Sequence, residues 1–226
     1  MNVRDLEKTT SGDIVHSVFK GALGAIPYLG SAAVEIFGLV FTPPLEKRKI
    51  QIMNNFAERL NELESSKKID LTELSNNEHF IDVLIQSTTF AIRTSQKEKI
   101  EAFKNAILNT AVGCSIDETK SHIFINQLDI FTVWHIKLLQ FVENPVDCLK
   151  NASKPIPNYV SGSLATIIRG LYPELSQELL NIIWNDLKNA GFIDAADTQT
   201  MMTGNGLLAK RTTNFGDEFL NYIRFS

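Results

Sequence analysis

The sequence predicts a mainly α-helical protein, a helical bundle to about residue 150 followed by a smaller α+β domain. Two observations carry this expectation. Strand-like alternation is nearly absent before residue 190, while apolar residues recur at three- and four-residue spacing throughout. From Ser163 onward the pattern changes to shorter helical stretches and a turn signal containing Gly204 and Gly206. A chain of 226 residues has room for one large or two small domains.

The first helical region runs from about Asp13 to Phe41, and Pro27 with Gly30 splits it into a hairpin of two shorter helices. A second helix follows Thr42-Pro43-Pro44, because proline in a first turn lacks an N–H that would be unpaired there anyway. It is expected to reach about Glu64, with Ile50, Met53, Phe56, Leu60 and Leu63 on its buried face. Ser65 to Leu71 reads as a connection. A third helix, about Asn77 to Thr94, should bury Phe80, Leu84 and Phe90. A fourth, about Gln96 to Ala111, should bury Ile100, Phe103 and Ile107 and stop at Gly113 as a left-handed cap. Asp117 and Thr132 are expected to cap two more, carrying Phe124 and Leu128, then Trp134, Leu138 and Phe141, with Pro145 ending the last.

Domain boundaries follow: 1–150 as the bundle with its apolar hairpin at about 13–41, 151–162 as a linker, and 163–226 as the second domain. In that domain Ser163 to Leu171 reads as a short helix. Ser176 opens a longer one whose apolar stripe is Leu179, Ile183 and Leu187, with Trp184 beside it. A hairpin is expected next, with Phe192-Ile193 leading out, Gly204-Asn205-Gly206 as the tight turn, and Leu207 to Thr212 returning. A last helix starts near Asn214. Helix, turn, helix, hairpin, helix is the order of a winged helix, and Arg211 to Leu220 resembles the segment leaving the wing in such domains. The resemblance implies a winged-helix-like domain.

Winged helices often lay their second helix in the major groove. Here Asn181, Asn185 and Lys188 on that helix, with Lys210 and Arg211 on the wing, are the candidate DNA contacts. The balance is unfavourable: from Ser161 onward there are five basic and seven acidic residues. The whole chain carries a net charge of −4. DNA affinity depends on neutralising several phosphates, and two wing cations supply few.

The unusual segment is Gly21 to Phe41, whose one formal charge is Glu35. Its length suits a bilayer, but a carboxylate at mid-membrane costs about 2.5–3.5 kcal/mol. One helical stripe holds Val15, Phe19, Ala22, Ile26, Leu29, Ala33, Ile36 and Val40. Another holds Gly21, Gly24, Tyr28, Ser31, Glu35 and Gly38, small enough on most positions for close helix approach, and is the candidate membrane or oligomer interface. The cluster Lys47-Arg48-Lys49 is the candidate lipid-headgroup contact, each charge contributing about 1 kcal/mol against anionic lipid. The alternative reading makes the hairpin a permanently buried centre of the bundle.

The run Phe19 to Gly30 with Pro44-Leu45-Glu46-Lys47-Arg48 resembles the start of a group of little-characterised bacterial helical proteins. Glu98 to Asn109 and Phe131 to Leu139 are similar to later parts of the same group. The glycine-rich start is also similar in character to the N-terminal helices of HeLo-like and Bell-type membrane-acting cell-death effectors. This resemblance implies a role in antiviral defence or abortive infection.

No chemical motif stands out. His16, His79, His122 and His135 lack ligand spacing with each other or with Cys114 and Cys148, so no metal is expected. Phosphate loops, nucleophile elbows and dinucleotide fingerprints are missing from the sequence, and no cofactor, small-molecule substrate or enzymatic activity is expected. His135 reads as a satisfied core histidine. Asn105 and Asn109, one turn apart, read as a polar clamp inside the bundle. Two cysteines and the polar first twelve residues, without a signal-peptide pattern, point to the cytoplasm, with conditional contact at the inner membrane.

The functional expectation is a non-enzymatic bacterial interaction protein, a defence effector or adaptor working through a protein partner, self-association or an anionic membrane. The alternatives are a winged-helix DNA-binding regulator and a soluble scaffold subunit of a larger complex.

Overall fold

The computed structural model describes residues 43–156 and 161–225. The predicted hairpin and its face of Gly21, Gly24, Tyr28, Ser31, Glu35 and Gly38 lie outside the described residues. Among those described the chain is mainly helical: eleven helices and one two-stranded sheet. It divides into two compact units, Met1–Ser65 and Ser66–Ser226.

In the first unit, α1 spans Pro43–Ser65. Its buried side chains are Ile52, Phe56, Leu60 and Leu63, spaced four, four and three apart. Ile50 and Met53 are exposed, which corrects the expected face. The predicted and observed stripes share Phe56, Leu60 and Leu63, and both obey helical spacing.

The second unit begins with α2, a single turn over Leu71–Leu74 capped by Asp70 within the stretch read as a connection. Helices α3 (Glu78–Arg93), α4 (Lys97–Ala111) and α5 (Glu118–Ile130) pack pairwise on one another. Asn77 and Asp117 cap α3 and α5 through their side-chain oxygens, as their residue types suggest. Gly113, at φ +77°, ends α4 in the left-handed conformation expected of it. Of the expected core positions, Phe80, Phe103 and Ile107 are buried, while Leu84, Phe90 and Ile100 are half-buried at the margin.

Helix α6 (Val133–Glu143) carries Leu138, Leu139, Phe141 and Val142 into the core. Pro145, expected only to end it, also occupies the first turn of α7 (Pro145–Asn151), capped by Asn144. Then come β1 (Gly162–Ser163), α8 (Leu164–Leu171), α9 (Gln177–Asn189), β2 (Met201–Met202), α10 (Gly204–Leu207) and α11 (Asn214–Tyr222). Ser163 and Ser176 cap α8 and α9 through their hydroxyls.

The expected hairpin turn is corrected. Gly204, Asn205 and Gly206 form α10, because the Thr203 hydroxyl accepts the Gly206 N–H and starts a helical turn. β2 pairs antiparallel with β1, Gly162 opposite Met202, and Ile193 bridges Thr212 separately. The stripe on α9 is also corrected: Leu180, Ile183, Trp184 and Leu187 face inward, and Leu179 is exposed.

The core is aromatic where α5, α6 and α11 converge on the strand-like exit from α9. Phe124, Phe131, Phe192 and Phe219 form tilted and edge-on pairs with centroids 4.8–6.3 Å apart. α11 enters this cluster because Gly216 sits against the main chain of Phe192, whose carbonyl occupies the space a Cβ would need.

Candidate functional site

Helix α9 is held from both sides. Its inner stripe is buried against the core, and Trp184 Nε1–H donates to the Ala196 carbonyl at 3.0 Å. On its flank, Gln177 Nε2 donates to Asn181 Oδ1 at 2.8 Å and the Thr198 hydroxyl donates to the same oxygen at 3.3 Å. Asn181 therefore fastens the 195–200 segment to α9. Its acceptor is occupied, unlike that of an amide presented to a base edge. Asn185 and Lys188 are exposed.

The other two candidate DNA contacts are likewise engaged inside the fold. Lys210 Nζ pairs with Asp217 at 2.6 Å. Arg211 is half-buried and donates to the carbonyls of Ala209 and Gly206 and to Met202 Sδ, closing the α10 turn. Its N–H donates to the Val142 carbonyl at 2.9 Å, and its own carbonyl accepts the Asp194 N–H at 3.0 Å. Asp217 is partly buried, which raises its pKa, but hydrogen bonds from Lys210 and Thr212 hold it below the usual carboxylate range.

Beside Asn185 and Lys188, α9 presents an apolar and acidic patch outward. Leu179 is 40% and Ile182 51% exposed, beside Glu178 and Asp186, which are exposed too. An exposed pair of large aliphatic side chains one turn apart is a protein-contact chemistry.

The base of this face is anchored through His135. Thr132 N–H donates to His135 Nδ1 at 3.1 Å, so the ring proton resides on Nε2, which donates to Asp186 Oδ2 at 3.2 Å. The ring is buried and stacks on Phe131 with an interplanar angle of 11°. Burial pushes its pKa down; Asp186 raises it and nearby Lys99 lowers it. The expectation of a satisfied core histidine holds.

Lys99, which no sequence pattern singles out, is buried with its Nζ on the Asp129 carbonyl at 2.7 Å. It caps the last turn of α5, where a cation complements the helix dipole, and burial lowers its pKa. Asn105 and Asn109 form a clamp, but onto the end of α11, in the region expected as a second domain, and not inside the bundle. Asn105 Nδ2 donates to the Ile223 carbonyl at 3.0 Å, and Asn109 Nδ2 lies 2.8 Å and 2.6 Å from those of Tyr222 and Arg224. A side-chain relay continues beneath it: Tyr222 hydrogen-bonds Thr110 and Ser121, and Ser121 lies 3.0 Å from His79 Nε2. Ser121 is fully buried, so the pair with His79 serves the core and is closed to a substrate.

Lys47, Arg48 and Lys49 are all exposed on the first turns of α1. Among the described residues no helix is long and apolar enough to cross a membrane, and no group of three or more histidine, cysteine, aspartate or glutamate side chains is placed to hold a metal ion. Comparison with protein-family models, curated proteins and solved structures gives no match.

Proposed function

We propose that this chain is a non-enzymatic interaction protein whose C-terminal region docks a protein partner. The N-terminal apolar segment, about 13–41, then mediates self-association or conditional contact with an anionic membrane. The observation that carries the docking half is the outward face of α9, with Leu179 and Ile182 in solvent beside Glu178 and Asp186. The winged-helix reading of this region is supported by the pair α8 and α9 and by the antiparallel bridge between Ile193 and Thr212, with α10 standing where the wing tip was expected. A regulator of DNA would need Asn181, Lys210 and Arg211 released from the bonds they make within the fold.

The membrane half rests on sequence chemistry: a glycine-studded apolar segment followed by three exposed basic residues. The defence role belongs to the same proposal, through the similarity in character of the glycine-rich start to HeLo-like and Bell-type membrane-acting effectors. The deciding experiment is dye release from anionic liposomes by the full chain, by Gly24→Leu and by a chain lacking residues 1–42. Release by the full chain and its loss in both variants is the expected result. Equal inactivity of all three under every trigger removes the membrane contact and leaves docking and self-association. A gel shift on random duplex at low salt runs beside it, and submicromolar binding there would replace the docking reading with the DNA one.

A further inference from the structure

Helices α3 and α5 lie side by side and run parallel, because their cross-links advance together: His79 to Ser121, Gln86 to Asn126, Arg93 to Asp129. Between them is a surface groove of about 440 Å³ whose lining includes His79, Asp82, Gln86, Glu118, His122 and Ile123. Among the described residues no lysine or arginine lines it. Ile123 is 42% exposed, and one turn along the α3 rim Ile85 is 60% exposed. The groove thus offers Ile123 and two carboxylates, Asp82 and Glu118, and Ile85 stands exposed just beyond its α3 edge.

The complementary surface is on the same chain. Along α1, Ile50 and Met53 are 55% and 49% exposed, and Ala57 continues their stripe one turn further. At 100° per residue this stripe lies about 100° around the helix from the buried face of Ile52, Phe56 and Leu60. Lys47, three residues before Ile50, and Lys49, four before Met53, flank its N-terminal end on either side. An exposed aliphatic stripe with flanking lysines matches a groove with aliphatic rims and two carboxylates in both shape class and sign.

We propose that the groove between α3 and α5 receives α1 of a second copy of this chain, with Lys47 and Lys49 meeting Asp82 and Glu118 and Ile50 and Met53 meeting Ile123 and Ile85. The proposal goes beyond the reading above, since it places a self-association contact on α1 and not on the 13–41 segment. Because the donor and acceptor surfaces differ, each copy retains one free surface of each kind after a single contact. Association is then heterologous and proceeds to a ring or an open chain.

The test is sedimentation velocity on the full-length protein at low and high salt, with circular dichroism as the check on folding. Self-association that weakens as salt rises is expected. Lys47→Glu with Lys49→Glu should weaken it about tenfold or more, and Asp82→Lys with Glu118→Lys should do the same. A chain carrying all four changes restores the complementary signs and should regain association. A monomeric wild type at all concentrations, or a four-fold variant that stays as weak as the pairs, overturns the proposal. So does loss of anionic vesicle binding in the lysine pair while self-association is unchanged, which assigns the α1 face to lipid. Gly24→Leu keeps the two readings apart: it should abolish dye release while leaving the salt-sensitive association of the α1 face intact.

Discussion

Where α4 meets α11, Asn105 and Asn109 turn their amides onto the carbonyls that end a helix. On the outward side of α9, Leu179 and Ile182 stand in water. Both helices repeat apolar and amide side chains at similar spacing, yet one contact is complete and the other lacks its second half. A helix C-terminus leaves four carbonyls without intrahelical partners, and an amide fixed one turn inside α4 meets several of them. Among the described residues nothing comparable covers Leu179 and Ile182, and aliphatic groups gain only from being covered. Completed polar geometry marks a contact made for stability, and uncovered aliphatic pairs mark one left for a partner.

The largest effect that tests this contrast lies across a single helix. Leu180 is fully buried and Leu179 is its neighbour in sequence. Leu180→Ala should destabilise the protein by about 2–5 kcal/mol through lost transfer energy and the cavity left behind. Leu179→Ala and Ile182→Ala should each change stability by about 0.5 kcal/mol or less. Urea unfolding of the three variants reads this directly. Comparable losses in all three would mean that the outer pair is already packed in solution, and the docking face would be gone.

A smaller loss is expected at the completed contact. Asn109→Ala removes the donor serving the Tyr222 and Arg224 carbonyls and should cost about 1–3 kcal/mol. The adjoining cavity, lined by Asn109, Asn221 and Arg224 among others, admits water to those carbonyls and favours the lower end. Amide exchange should accelerate in the last turn of α11 before it does in α9. Uniform acceleration would show that the clamp supports the whole core.

Much of this architecture was legible because helix starts announce themselves locally. Asp117 is expected as a cap and Asn77, Ser163 and Ser176 as helix starts, and each accepts from the first turn it caps. The clamp was legible for a related reason, since two amides between apolar positions on one helix need buried partners. Faces were harder. Ile50 and Met53 fit helical spacing with Phe56 as well as Ile52 does, and Leu179 fits with Ile183 as Leu180 does. Periodicity alone cannot choose when apolar residues exceed one stripe, and the surplus is where a partner surface is found. Gly204-Asn205-Gly206 was misread because its turn composition outweighed Thr203, whose hydroxyl starts a helix. Lys210 and Arg211 were counted as available cations; their engagement with Asp217 and with main-chain carbonyls arises only when distant segments meet.

His135 stands beneath the uncovered face of α9, and the smallest expected effect tests what it does there. Its Nδ1 accepts the Thr132 N–H that starts α6, and its Nε2–H reaches Asp186 beside the uncovered face. A second proton on the ring would have to go to Nδ1, taking away the acceptor that the Thr132 N–H uses. Burial, reinforced by Lys99 against the opposing pull of Asp186, places the folded pKa below the ordinary 6.5. In the unfolded chain the imidazole takes its proton at the ordinary value, so just below that pH the unfolded state binds more protons. Stability is therefore complete above about pH 6.5 and declines as pH falls below it. The urea midpoint of the wild type should drop between about pH 7.5 and about pH 5.5. In His135→Gln, which starts lower because the imidazole contacts are altered, the drop should be shallower. Equal slopes in the two proteins would place the acid sensitivity elsewhere and leave His135 as a fixed strut under α9.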